Sequence, residues 1–137
     1  MDEPLNLVLF SGTDDKLESA AIMAAGAAAI GTPVTILLQF WALDAFRADR
    51  VDADHGLSTE AGARGAEAVR QRTPKGRLAW AETLRQAKEL GDVEINACTN
   101  SLDLLGIDVL DLDPLVDGAS GIATFFIKAS DGPIVFI

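Results

Sequence analysis

Short apolar runs alternate with stretches of helical period along this chain. Leu5-Asn6-Leu7-Val8-Leu9-Phe10, bounded by Pro4 and by Ser11-Gly12, has the profile of a strand covered on both faces. Asp15 and Glu18 then stand at the spacing of a capping box, which predicts a first helix that passes through an alanine-rich stretch and stops near Gly31. Its alanines and Gly26 carry little bulk, so the helix can lie close to a sheet. Pro33 to Gln39 gives a second strand rich in β-branched residues, with the proline where a ladder donor is least missed. The β-α-β order makes the two strands parallel.

An aromatic cluster, Phe40-Trp41 with Phe46, follows; it reads as core or, if exposed, as a contact between copies of the chain. From Arg47 to Gly76 the composition turns to charge, glycine and alanine. So long a stretch is no ordinary loop: it is a flexible lid, an interface arm or an insertion partly helical around Glu60 to Arg72, and it reads best as a polar, mobile lid over about residues 47–76 that contains some helix. From Arg77 the period is helical again: Leu78, Ala81, Leu84, Ala87 and Leu90 share a face, and Gly91 is expected to end the helix as a left-handed cap. A third strand runs from Val93 to Ala97, Cys98 comes next, and a short helix stops at Gly106. A short strand over Val109 to Leu112, a turn at Asp113-Pro114, a helix over Gly121 to Ala129 and a last strand from Pro133 to Ile137 complete the pattern. This alternation predicts an α/β fold: a single domain over residues 1–137, a three-layer sandwich whose parallel sheet of four or five strands has helices on both faces.

Composition narrows the function classes. A chain of 137 residues with 49% hydrophobic and 23% charged residues can bury a sizeable core without disulfide or metal staples. The formal net charge of -10 opposes nucleic acid and anionic membrane surfaces as partners. One cysteine forms no internal disulfide, and Met1-Asp2-Glu3-Pro4 lacks the basic stretch of a secretion signal. Ala20 to Ile30 is too short for a membrane span of roughly 20 residues, with Asp15, Lys16 and Glu18 before it and Pro33 after it. A cytoplasmic protein is the expectation.

Cys98 carries the candidate chemistry. It stands where a parallel strand hands over to a helix, the end at which open α/β folds expose reactive groups. Backbone N–H groups of Thr99, Asn100 and Ser101 at the helix start can favour a thiolate there. The alternative is a small, inert core residue. Ser11 and Thr13, in the turn after the first strand, are expected to line the same crevice, and the lid is the source of any cation over the sulfur. One cysteine leaves no C-x-x-C pair and no resolving thiol, so dithiol chemistry within one chain is excluded. His55, in a polar loop, reads as solvated. Asp108, Asp111, Asp113 and Asp117 lack the glycine and glutamate of an EF-hand and read as a solvated edge. No metal and no cofactor is expected, and the Ser11-Gly12-Thr13 turn lacks the nucleotide-binding glycine patterns.

Taken together, the Ser-Gly turn after the first strand, the alanine-rich helix, Leu90-Gly91, Val93-Glu94-Ile95-Asn96-Ala97-Cys98-Thr99-Asn100-Ser101, Leu104-Leu105-Gly106 and the closing unit from Gly121 to Ile137 resemble the DsrE/DsrF/TusD-like sulfur-relay family. The resemblance covers nearly the whole chain. It implies a single-domain α/β protein that assembles into a homo-oligomer such as a trimer or hexamer. It also implies that Cys98 carries sulfane sulfur as a persulfide between donor and acceptor proteins or small thiols. Two other readings stand beside this one: a small-ligand-binding or regulatory module in which Cys98 is merely packed, and a one-cysteine thiol oxidoreductase.

Overall fold

A computed structural model describes residues 3–129 and 132–137. Met1 and Asp2, part of the amino-terminal reading above, lie outside the described residues. Strands Leu5–Leu9 (β1), Val34–Leu38 (β2), Val93–Cys98 (β3), Gly118–Ser120 (β4) and Ile134–Phe136 (β5) form one sheet in the order β4-β3-β2-β1-β5. Every pairing in it is parallel. The chain winds outward from β1 through β2 and β3 to β4, then returns to place β5 on the other side of β1.

Among the described residues six α-helices connect the strands: α1 (Asp14–Ala29), α2 (Phe40–Ala45), α3 (Gly62–Arg72), α4 (Trp80–Leu90), α5 (Thr99–Leu105) and α6 (Ile122–Ala129). Successive strand residues point to opposite faces of a sheet, and here the two faces differ. Leu7, Leu9, Ile36, Leu38, Ile95 and Ala97 share the main core with Leu17, Ala20 and Ala24 of α1 and with Leu84 and Ala87 of α4. On the other face Val8, Leu37 and Cys98 form a small cluster with Phe125 of α6. Helices therefore cover both faces of a five-stranded parallel sheet, the architecture expected from the alternation. No described helix is long and apolar enough to cross a membrane.

Local chemistry explains four departures. The N-cap of α1 is Thr13, and Asp15 does not cap its own helix; its carboxylate accepts instead from the backbone and hydroxyl of Ser58. Gly91 ends α4 with φ −153°, an extended rather than a left-handed conformation. Glycine is needed there for room, because an added Cβ would lie 2.9 Å from the Cβ of Ala28 and 3.1 Å from its carbonyl oxygen. Val109 to Leu112 is not a strand: Val109–Asp111 is a turn of 3₁₀ helix, whose Leu110 N–H donates to the Asp108 carboxylate. The fourth strand is the short Gly118–Ser120, which borrows its pairing from Asn96, Ala97 and Cys98.

The polar segment 47–76 does hold a helix, α3, preceded by a 3₁₀ turn over Thr59–Ala61. None of its residues belongs to the buried apolar cluster of Cys98, and it is tied to the first turn of α1. The Asp14 N–H donates to the Gly56 carbonyl at 2.8 Å, and the His55 N–H donates to the Asp14 carboxylate at 3.1 Å.

Candidate functional site

Cys98 occupies the junction that its sequence position suggests. It is the last residue of β3 and the N-cap of α5, with φ −68° and ψ 122°. Its side chain, however, is only 3% exposed and belongs to the apolar cluster of Val8, Leu37 and Phe125. The expectation of an openly presented thiol is thereby corrected. The physical reason is strand alternation: with Ile95 and Ala97 facing α1 and α4, Cys98 must face α6.

Of the residues expected to hold an anion, Thr99 and Asn100 are exposed at the first turn of α5, whereas Ser101 is buried. The Ser101 hydroxyl accepts the Phe40 N–H at 3.1 Å. Phe40 has φ +43°, a conformation that costs a bulky residue on the order of 1–3 kcal/mol and persists only where surrounding structure holds it. Ser101 thus fixes the β2–α2 turn rather than lining a crevice at the sulfur.

Ser11 and Thr13 lie elsewhere. With Trp41, Asp44, Arg50 and His55 they line an open cleft of about 340 Å³ beside the start of α1, and Cys98 is not part of its lining. The Ser11 and Thr13 turn thus opens on a cleft that the cysteine does not line. Trp41 is 55% exposed, whereas Phe46 is buried against Trp80 with ring centroids 4.9 Å apart. The aromatic cluster divides between surface and core.

A buried acid that the sequence reading did not single out sits behind that turn. Asp14 is 1% exposed and accepts from the Trp80 indole Nε1 at 2.8 Å and from the His55 N–H. Burial pushes its carboxyl above the ordinary aspartate range, against the lowering effect of those two hydrogen bonds. Glu18, one turn along, is raised by burial and then by the neighbouring Asp14. Burial also acts on Asp15, but hydrogen bonds from Ser58, Thr13 and the Lys16 N–H outweigh it and hold that carboxyl low. His55 is half-buried rather than solvated, its ring 5.9 Å from Trp80. The paired Asp14-Asp15 and the tryptophan opening α4 were the available signals, yet nothing local says that residues 14 and 80 meet.

Of the aspartates after α5, Asp108, Asp113 and Asp117 hold backbone N–H groups. Asp113 accepts the Leu115 N–H, and Asp117 accepts the Ile95 N–H while pairing with Lys88 at 2.6 Å.

Known proteins agree with this fold and extend it to a family. Residues 1–63 match the model of the DsrE/DsrF/DrsH-like family. The chain is 32% identical over 149 aligned positions to the uncharacterized protein YrkE of Bacillus subtilis, covering 93% of this chain and 92% of YrkE. Among solved structures it is similar to the protein of unknown function MTH1491 from Methanobacterium thermoautotrophicum, with TM-score 0.62, 13% identity and coverage of 99% and 100%. It is also similar to the ychN protein from E. coli, with TM-score 0.58, 15% identity and full coverage of both chains. By sequence and by architecture, this chain belongs to the DsrE-like family.

Proposed function

We propose that the protein acts in sulfur relay, with Cys98 as the atom that receives sulfane sulfur and α6 as the element that governs access to it. Family membership supports the sulfur-relay-related role. The observation that carries the finer reading is the position of the chain's one thiol: it ends β3, begins α5, and lies beneath a single short helix. In the exchange, the Cys98 thiolate attacks the outer sulfur of a donor persulfide R–S–SH. The donor S–S bond breaks, a new bond forms between Cys98 Sγ and that sulfur, and R–S⁻ leaves with the electron pair. The product is a Cys98 persulfide, from which an acceptor thiolate later takes the outer sulfur. No net oxidant is required.

The burial of Cys98 means that its sulfur reacts only when α6 and Phe125 move away. Donor and acceptor proteins or small thiols are the proposed partners. A second copy of the chain is also proposed, because Phe126 and Ile127 of α6 expose 54% and 79% of their surface and Phe136 of β5 exposes 64%. Incubation with a persulfide donor should add one sulfur mass to the wild-type protein, reversible by reductant, and none to Cys98→Ser. Unchanged mass in the wild type, with donor still active toward a free thiol, overturns this reading. That result favours the second one, a ligand-binding or regulatory module, which the apolar packing of Cys98 specifically supports.

A further inference from the structure

Helix α3 contrasts with the other long helices of the domain. Leu17, Ala20 and Ala24 of α1 and Leu84 and Ala87 of α4 are buried in the core, whereas α3 buries no residue at all. Its Ala66 and Val69, three positions apart and so on one face, look into a cavity of about 400 Å³ instead. Leu57 and Leu78 complete the apolar wall, and the buried Asp14 lies at the cavity's edge. That volume falls within the range of small-molecule sites, roughly 300–1,000 Å³.

The roof of this cavity is fastened rather than loose. Ser58 gives its N–H and its hydroxyl to Asp15, the latter at 2.5 Å, and the Gly56 carbonyl holds the Asp14 N–H. At the far end of α3, the Thr73 hydroxyl donates to the Val69 carbonyl at 2.6 Å. Charged groups around the space are mostly committed. Arg70 pairs with Glu67, the Asp54 carboxylate accepts the Gly56 N–H at 2.8 Å, and Asp14 serves Trp80 and His55. Arg77 is half-buried, lines the cavity and has no carboxylate partner within salt-bridge distance among the described residues. In a chain of net charge -10, Arg77 is thus the cavity-lining guanidinium left open to an anion, Arg70 being paired with Glu67.

We infer that the cavity beneath α3 binds a small organic anion, its acid group on Arg77 and its apolar body against Leu57, Ala66, Val69 and Leu78. The site is separate from Cys98, so the inference stands or falls independently of sulfur transfer. Occupancy would give α3 the buried apolar contact that it otherwise lacks.

Anilinonaphthalene sulfonate, an aromatic sulfonate, is a suitable probe for a fluorescence titration of the purified chain. One saturable site per chain is expected. Val69→Trp, which fills the cavity, should abolish it, and Arg77→Met should weaken it at least about tenfold. The double variant Phe126→Ser with Ile127→Ser removes the competing apolar surface on α6 and should leave the site intact. Circular dichroism melts report whether each variant folds, and Ala66→Leu serves as the cavity-filling variant if Val69→Trp does not. Absence of saturable binding, binding indifferent either to cavity filling or to Arg77→Met, or binding lost with the α6 double variant overturns the inference.

Discussion

The two faces of the sheet are built to different standards. Toward α1 and α4 the strands present leucine, isoleucine and valine, and the helices answer with alanines and leucines that are almost all fully buried. Toward α6 the same strands present Asn6, Val8, Thr35, Leu37, Glu94, Asn96 and Cys98, and the cover is one helix of 8 residues. Glu94 accepts from Asn96 at 2.7 Å and from Lys128 of α6 at 2.6 Å, so polar pairs carry part of what packing carries opposite. The lesson is that one face fixes the fold, while the other holds the chain's one cysteine under a single short helix. Local opening draws on the less tightly packed regions of a domain, and α6 is such a region.

Substitutions on the two faces sharpen this contrast. The largest loss of stability is expected from Leu84→Ala, a fully buried α4 residue, at about 3–4 kcal/mol in urea unfolding. Its Cys98 labelling should rise only as far as global unfolding allows. Phe125→Ala is expected to cost about 3 kcal/mol, the low end for such a truncation, because α6 can settle toward the sheet. Labelling of Cys98 by a thiol reagent should nevertheless rise under native conditions by more than the stability loss explains. Equal dependence of labelling on stability in both variants would break the comparison.

Charge effects on both faces are smaller and opposite in sign. Lys128, followed by Asn96, holds the Glu94 carboxyl below the ordinary glutamate range. A lowered carboxyl contributes stability above the unfolded value, and that contribution is lost as pH falls through the folded one. Lys128→Met should therefore cost less than about 1 kcal/mol at neutral pH, with the difference from wild type vanishing in acid. Glu18 is raised, so its protonated form suits the fold and stability falls as pH rises through the carboxylate range. Glu18→Gln should raise Tm at neutral pH by about 2 °C or less and leave it unchanged in acid.

Much of this architecture is legible in the chain itself. Leu5–Leu9, Val34–Leu38 and Val93–Cys98 announce themselves as apolar runs, and Gly106, at φ +64°, ends α5 where its position suggests. The short β4 is not legible, because Gly118, Ala119 and Ser120 have no strand preference of their own and are held by register with β3. The destination of segment 47–76 is hidden for a similar reason: Asp15 looks like a local cap, but its partner is Ser58, and the adjacent Asp14 meets His55 and Trp80. The thiol's place at the strand end could be read from its neighbours. Its burial could not, since that depends on Phe125 arriving from a helix near the other end of the chain.

The most direct test follows sulfur uptake by intact mass over time, in wild type and in Phe125→Ala, with the same persulfide donor under native conditions. Gain of one sulfur atom on Cys98 in both proteins, much faster in Phe125→Ala, is the result predicted for a thiol governed by α6. No uptake in either protein, or uptake that survives Cys98→Ser, would contradict it.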